Sequence, residues 1–307
     1  MQLNLAPIVS IIIPTYNSSE YILIAIRSIQ DQIYDNIEII VVDDGSTDDT
    51  KAKLNQYIEN DDIRYIYQDN KGASAARNKG ITLAKGEYIG FLDADDKFDE
   101  SMVSCCVSEL VSNDYDLVSV DNYKIFLSGN VEIGREDQEY AWIEKEANEL
   151  FLAFLKTGGI GGVHKAIFKK CVFNKVGYLD ESLVVYEDLD LWIRIAMKGL
   201  KWGHIRKQLV YCYRRDSNNS LFTQNVEINQ DCRVLILKKY KAEAIKRSLV
   251  MKSILAGQLW DFGRAYVLEY KNIPKALKCF VSSIIIQPNI RQVIKSCASY
   301  FHKHKNE

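Results

Sequence analysis

Tyr88-Ile89-Gly90-Phe91-Leu92 runs directly into Asp93-Ala94-Asp95-Asp96. An apolar run of this length, opened by Gly86 and closed by acids, reads as a buried strand of a parallel sheet. Open α/β sheets bind their ligands at the carboxyl ends of such strands, where these acids sit. Three carboxylates within four residues repel one another unless a cation or hydrogen-bond donors stand between them. Oxygen ligands of this kind suit Mg²⁺ or Mn²⁺, which take one or two carboxylates plus substrate phosphates. A second reading makes the segment an acidic turn leading into the next helix, with Asp99 as its N-cap. An EF-hand fails: counted from Asp93, the sixth position is Phe98 and the twelfth Ser104, where that loop needs Gly and Glu.

The chain before this junction alternates strands with helices. Val9 to Ile13 is a strand ended by Pro14. Ser19 to Gln32 has helical apolar spacing, with Ser18 or Ser19 as N-cap. Ile37 to Val42 is a second strand, followed by a helix carrying Leu54 and Ile58 and a short strand from Ile63 to Tyr67. Gly72 to Leu83 is helical, and after Asp96 come a helix from Glu100 to Val111 and a strand from Asp116 to Val120. This spacing predicts a doubly wound, mostly parallel sheet. The alternation then dissolves into a polar hairpin (Tyr123 to Glu144), a helix (Glu146 to Lys156) and the glycine-rich Gly158 to Gly162. Glu187 to Lys198 is an amphipathic helix, Trp202 to Tyr213 supplies one or two strands, and helices fill the chain from Asn225 onward.

Three strand ends converge on one sheet edge. The first carries Pro14-Thr15-Tyr16-Asn17, the second Asp43-Asp44-Gly45-Ser46, and the third the acidic cluster. Gly45 permits a tight turn, and Ser46, Thr47 and Asp48 read as helix-starting residues whose free N–H groups face the same crevice. Lys71 to Asn78 adds small residues at a helix start and Arg77 within it. Arg77 is suited to a phosphate, to bracing the acids, or to a structural ion pair with Asp93 or Asp96. In Glu187-Asp188-Leu189-Asp190-Leu191-Trp192, Asp188 and Trp192 share one helical face while Leu189 and Ile193 turn to the core. Acids at a helix start also serve as ordinary capping chemistry.

Taken together, these segments resemble the family 2 inverting glycosyltransferases over about Val9 to Ser220. The resemblance rests on Ile13 to Asn17, Val42 to Asp48, Gly72 to Asn78, Leu92 to Asp96 and Glu187-Asp188, in the family's order and spacing. It implies the nucleotide-diphospho-sugar transferase fold and a donor held by Pro14, Thr15, Tyr16, Asn17, Asp43, Asp44, Arg77, Asp93 and Ala94. Within that set, Thr15 and Asp44 would hold the base, and Asp93 would lie near the ribose. A Mn²⁺ or Mg²⁺ ion on the diphosphate is implied at Asp95, with Asp93 as a second metal candidate. Asp188 would be the catalytic base, with Glu187 beside it. Tyr213 to Ser220 resembles the loop that closes over the diphosphate; it carries Arg214 and Arg215 where some relatives have a His. The resemblance thus implies residues 1–100 as the nucleotide-sugar half and 101–224 as the acceptor half of one catalytic domain. The acceptor would be a glycan or lipid-linked hydroxyl in cell-surface polysaccharide synthesis, with a protein glycan as the alternative.

Rival classes lack their signatures. A nucleotidyltransferase would favour a Gly-rich segment with Lys after the first strand, and a dinucleotide oxidoreductase would need GxGxxG there. A non-catalytic scaffold is disfavoured because every expected carboxylate is present. Seven cysteines without a CxxC pair fit a reducing cytoplasm, and the four histidines offer no zinc spacing beside them. No apolar run approaches a membrane span, and the amino terminus lacks the basic and apolar regions of a signal peptide.

The net charge of −2 hides a division: from Lys238 onward there are fourteen Lys and Arg against four Asp and Glu. Residues 225–307 therefore read as a basic helical extension. Within it, Trp260 to Tyr266 and Ala276 to Phe280 echo one tetratricopeptide unit, a helical pair docked on the catalytic domain. Its charge suits an anionic membrane surface at the inner face of the cell membrane, or a solvated helix face; the helices also offer a route to homo-oligomers. Nucleic acid is not expected, because no binding motif accompanies the charge.

Overall fold

The computed structural model describes residues 6–126, 130–134, 147–157, 161–214 and 226–288. Its elements are β1 (Val9–Thr15), α1 (Ile22–Gln30), β2 (Ile37–Asp43), α2 (Thr50–Glu59), β3 (Arg64–Tyr67), α3 (Ala73–Leu83) and β4 (Tyr88–Phe91). Then follow β5 (Lys97–Phe98), α4 (Met102–Ser112), β6 (Leu117–Phe126), β7 (Val131–Gly134), α5 (Ala147–Thr157), β8 (Ala166–Lys169) and α6 (Cys171–Val176). The chain continues with α7 (Glu187–Lys198), β9 (Trp202–Arg214), α8 (Val226–Arg247), α9 (Leu249–Leu268) and α10 (Ile273–Ile286). It separates into two units, residues 1–151 with 159–220 and residues 152–158 with 221–307.

The first unit is built on one sheet in the order β3-β2-β1-β4-β8-β6-β9-β5, with β7 beside β6. The expected α/β architecture is present. Its parallel ladders join β3, β2, β1 and β4, and later β6 and β9. The sheet is mixed, because β8 runs antiparallel to both β4 and β6, β5 runs antiparallel to β9, and β7 to β6. These antiparallel pairs fall where the sequence alternation had dissolved.

Period-two patterning explains the two covered faces. Val9, Ile11 and Ile13 of β1 join Ile22, Ala25 and Ile26 of α1, and Met102, Cys106 and Leu110 of α4, in one buried cluster. Ile12 points the opposite way, toward α3, where Gly80 lets the backbone approach; a Cβ there would lie 2.4 Å from Ile12 Cγ2. Each fully buried Ile of this kind contributes ~1.5–3 kcal/mol. α1 begins later than expected, at Ile22, and neither Ser18 nor Ser19 caps it through a side chain. Instead the Ser18 carbonyl accepts from the Tyr21 and Ile22 N–H groups, while its hydroxyl donates to the Tyr16 carbonyl.

The second unit is helical. Trp260 of α9 and Phe280 of α10 pack with ring centroids 4.7 Å apart, and Gly263 makes room for the Phe280 ring. The Ser283 hydroxyl donates to the Ala256 carbonyl at 2.7 Å, pinning α10 to α9. Asn272 caps α10 by accepting from Lys275 N–H, with Pro274 in the first turn. Among the described residues no helix is long and apolar enough to cross a membrane.

Candidate active site

β1 and β2 end side by side, and their loops are locked together. Asn17, at φ 48°, places its side-chain oxygen 2.8 Å from the Thr47 N–H and 3.3 Å from that of Asp48. Asp43 accepts from the Ser46 N–H at 2.8 Å and from the Tyr65 hydroxyl at 2.7 Å. The N–H groups of Ser46, Thr47 and Asp48 are therefore spent on holding this loop, contrary to the expectation that they face the crevice free. Asn17 braces the site rather than presenting its amide oxygen to it.

Asp44 ties β2 to the start of α3. One of its oxygens accepts from the Gln68 side chain and the Lys71 N–H, both at 2.8 Å; the other accepts from the Gly72 N–H at 2.7 Å. That second oxygen keeps an acceptor position for a ligand N–H. Thr15, at the same edge, is buried and its hydroxyl has no hydrogen-bond partner. Pro14 is half-buried and Tyr16 exposed beside it. Gly45, at φ +86°, and Gly72, at φ +92°, supply the left-handed turns of the two loops.

Arg77 is the joint of the site. Buried in α3, its guanidinium donates to Asp93 at 2.7 Å and to Glu187 at 2.9 Å. It thus pairs with Asp93, one of the two acids weighed, and also with an acid 110 residues away. The next residue, Asn78, binds the Leu179 backbone through both its oxygen and its nitrogen and reaches Glu181, so α3 fixes the segment leading into α7.

Asp93 is engaged on both oxygens, by Arg77 and by His164 Nδ1 at 3.2 Å. Burial works to raise its pKa, but Arg77 first and His164 next outweigh it and hold the carboxyl well below the usual range. Ala94 is buried, whereas Asp95 is exposed at the strand end. Asp96 turns inward, accepting from the Tyr213 N–H at 3.1 Å. β9 ends at Arg214, and Arg215 lies outside the described residues. Asp95 therefore fits a hard cation whose remaining ligands come from a diphosphate. Asp93 fits less well, because Arg77 and His164 already occupy its oxygens.

Glu187 and Asp188 open α7, whose preceding residue Tyr186 is left-handed at φ 67°. Burial raises the Asp188 carboxyl first, and the neighbouring Glu187 charge adds to this; it is pushed up to about 7. Asp190, by contrast, is fully buried and paired with Arg194 at 2.8 Å, which also donates to the Gly177 and Tyr178 carbonyls. That pair anchors the helix. Trp192, on the Asp188 face, is core rather than surface, stacked on Phe168 with centroids 5.5 Å apart. Sequence reasoning missed His164: two residues past a glycine-rich stretch and distant in the chain from Asp93, it carries no local signal.

Residues 10–172 match the profile of the family described as "Glycosyl transferase family 2". Chondroitin synthase of Escherichia coli is 31% identical over 252 residues, covering 78% of this chain and 34% of its own length. Glycosyltransferase GlyG of Streptococcus pneumoniae serotype 4 is 31% identical over 229 residues, covering 72% of this chain and 75% of its own. The chain thus spans about a third of the first relative and three quarters of the second. Among solved structures, S. aureus TarS 1-349 in complex with UDP-GlcNAc superimposes with a TM-score of 0.65 at 17% identity. That match covers 97% of this chain and 92% of the other, and shows a shared fold.

Proposed function

The chain belongs to glycosyl transferase family 2, and from that premise we propose that it moves a sugar, with inversion, from a uridine-diphospho-sugar to a hydroxyl of a glycan or lipid-linked acceptor in cell-surface polysaccharide synthesis. The observation that carries the proposed mechanism is the carboxyl of Asp188, pushed up to about 7 at the start of α7. A base is most effective near the working pH, and a carboxylate of ordinary strength would be a poor proton acceptor from a hydroxyl. The UDP-GlcNAc complex of TarS supports the uridine donor, and the relative named chondroitin synthase supports a polysaccharide product.

In this reading Thr15 and Asp44 receive the nucleobase, Asp44 through its remaining acceptor position and Thr15 through its unpartnered hydroxyl. Asp93 lies toward the ribose, fixed by Arg77 and His164. Asp95, with Mn²⁺ or Mg²⁺, is the place of the diphosphate, with Arg214 and Arg215 as phosphate contacts. The bound ion would supply Lewis-acid neutralisation of the departing diphosphate. Asp188 takes the proton of the acceptor hydroxyl as its oxygen bonds to the anomeric carbon from the face opposite the diphosphate. The bond from that carbon to the diphosphate oxygen breaks with both electrons leaving on the diphosphate. Glu187, held by Arg77, keeps a second negative charge beside Asp188 and so maintains its basicity.

Asp95→Ala is expected to weaken Mn²⁺-dependent uridine diphosphate binding at least ~10-fold by calorimetry, since the ion would lose its protein carboxylate. Unchanged binding would remove Asp95 from the metal role.

The helical extension is proposed to rest on the anionic inner surface of the cell membrane. Its basic excess is joined by an outward apolar stripe on α10, where Ile273, Leu277, Val281 and Ile285 are exposed beside Lys278. The protein is expected to sediment with phosphatidylglycerol vesicles at low salt, and to release at high salt or in Leu277→Glu/Val281→Glu. Failure to sediment at low salt would contradict the membrane reading, and a concentration-dependent dimer would replace it with a self-interface.

A further inference from the structure

We propose that Asp96, His164 and Cys212 form a metal site separate from Asp95, built for zinc or a zinc-like ion. The three come from parts of the first unit distant in the chain: the turn after β4, the 3-10 turn Val163–Lys165 before β8, and β9. All are buried, and one ligand atom from each lies within 4.8 Å of the others. Cys212 Sγ is 3.3 Å from His164 Nε2, and Asp96 Oδ2 is 3.7 Å from the same nitrogen. Ligands bound at zinc distances around a tetrahedron stand ~3.3–3.8 Å apart, so these two edges already have the required length.

The surroundings match as well. The far nitrogen of His164 is held by Asp93 Oδ2 at 3.2 Å, the carboxylate–histidine arrangement that orients a zinc-bound imidazole. The other oxygen of Asp96 accepts from the Tyr213 N–H, which fixes the carboxylate as a ligand would need. Gly162 leaves room for the ring, since a Cβ there would come within 2.4 Å of it. Sulfur, nitrogen and oxygen together select zinc or cobalt over Mg²⁺ and Mn²⁺, whereas exposed Asp95 offers only oxygen. Three protein ligands leave a fourth position for water, and an ion here would tie β9 and the turn before β8 to the end of β4. A chelator would then disturb the fold as well as the donor site, so loss of activity with chelator alone does not locate an ion at Asp95.

The site does not rest on the proposed transfer reaction, and its test uses the ion alone. Full-length protein carrying Cys171→Ser, which removes the exposed thiol, is produced in cobalt-supplemented medium and examined without nucleotide. One cobalt per chain is expected, with a sulfur-to-cobalt charge-transfer band and tetrahedral visible bands. The sulfur band is expected to vanish in Cys212→Ser and to persist in Asp95→Ala. X-ray absorption on the zinc-loaded protein supplies a readout that needs no ligand variant: one sulfur neighbour at ~2.3 Å with nitrogen and oxygen for the rest. Protein without the sulfur band, a band that survives Cys212→Ser, or zinc without a sulfur neighbour would overturn the site. His164 would then be an imidazolium linking Asp93 and Asp96.

Discussion

Asp188→Asn is expected to lower sugar transfer by ~10²-fold or more while leaving uridine diphosphate binding within about twofold of the parent chain. Asn preserves size and hydrogen bonding but accepts no proton at neutral pH, and Asp188 is not asked to hold the nucleotide. The same change is expected to stabilise the fold. Folded Asp188 sits at about 7 against an ordinary value of 3.8, so between these the unfolded chain binds fewer protons. Stability therefore falls as pH rises across that window, and the full penalty is present above it. Replacing the carboxylate removes the penalty, a gain on the order of 1–3 kcal/mol at slightly alkaline pH that fades toward acid pH. Calorimetric melting of both proteins, with transfer and binding assays alongside, checks all three parts. Loss of binding together with transfer would instead mark Asp188 as a donor contact.

Arg77→Met should produce the largest loss of stability. It leaves Asp93 and Glu187 without the cation that neutralises them, and removing one partner of a buried ion pair costs about 3 kcal/mol or more. Asp93, held below the usual carboxylate range, contributes stability in full above its unfolded pKa and loses it as pH falls through its folded one. The gap between parent and variant is thus expected to narrow in strong acid. Arg77→Lys should fall between the two, since an ammonium keeps the charge but cannot fork to two carboxylates. Denaturant unfolding at neutral pH measures the difference; a loss under about 1 kcal/mol would mean that the joint between α3 and α7 is not a main support of the fold.

The strand ends were legible because each is a continuous apolar run stopped by polar residues, a signal confined to a few neighbours in the chain. Glu187 to Lys198 was legible for the same kind of reason, its apolar residues recurring at helical spacing. What sequence could not reveal depends on contacts between distant residues. Arg77 was weighed against phosphate, Asp93 and Asp96, yet its second partner is Glu187. His164 meets Asp96 because β8 enters the sheet antiparallel between β4 and β6, and Cys212 because β9 pairs antiparallel with β5 just after Asp96, pairings no local pattern announces. The N–H groups of Ser46, Thr47 and Asp48 looked free to face a ligand, but closing two adjacent loops already uses them. Asp190 was readable in hindsight: Arg194 lies four residues on, the spacing of a helical ion pair.

The proposed reaction is sugar transfer from a uridine-diphospho-sugar with Asp188 as base. The most direct test is the rate of nucleoside diphosphate release from a panel of nucleotide sugars with Mn²⁺, measured across neutral pH for the parent chain and Asp188→Asn. The expected result is release of uridine diphosphate, falling tenfold per pH unit below an inflection near 7, and nearly abolished in the variant at every pH. No release from any uridine donor would contradict the donor assignment, and parent-like release from Asp188→Asn would contradict the base.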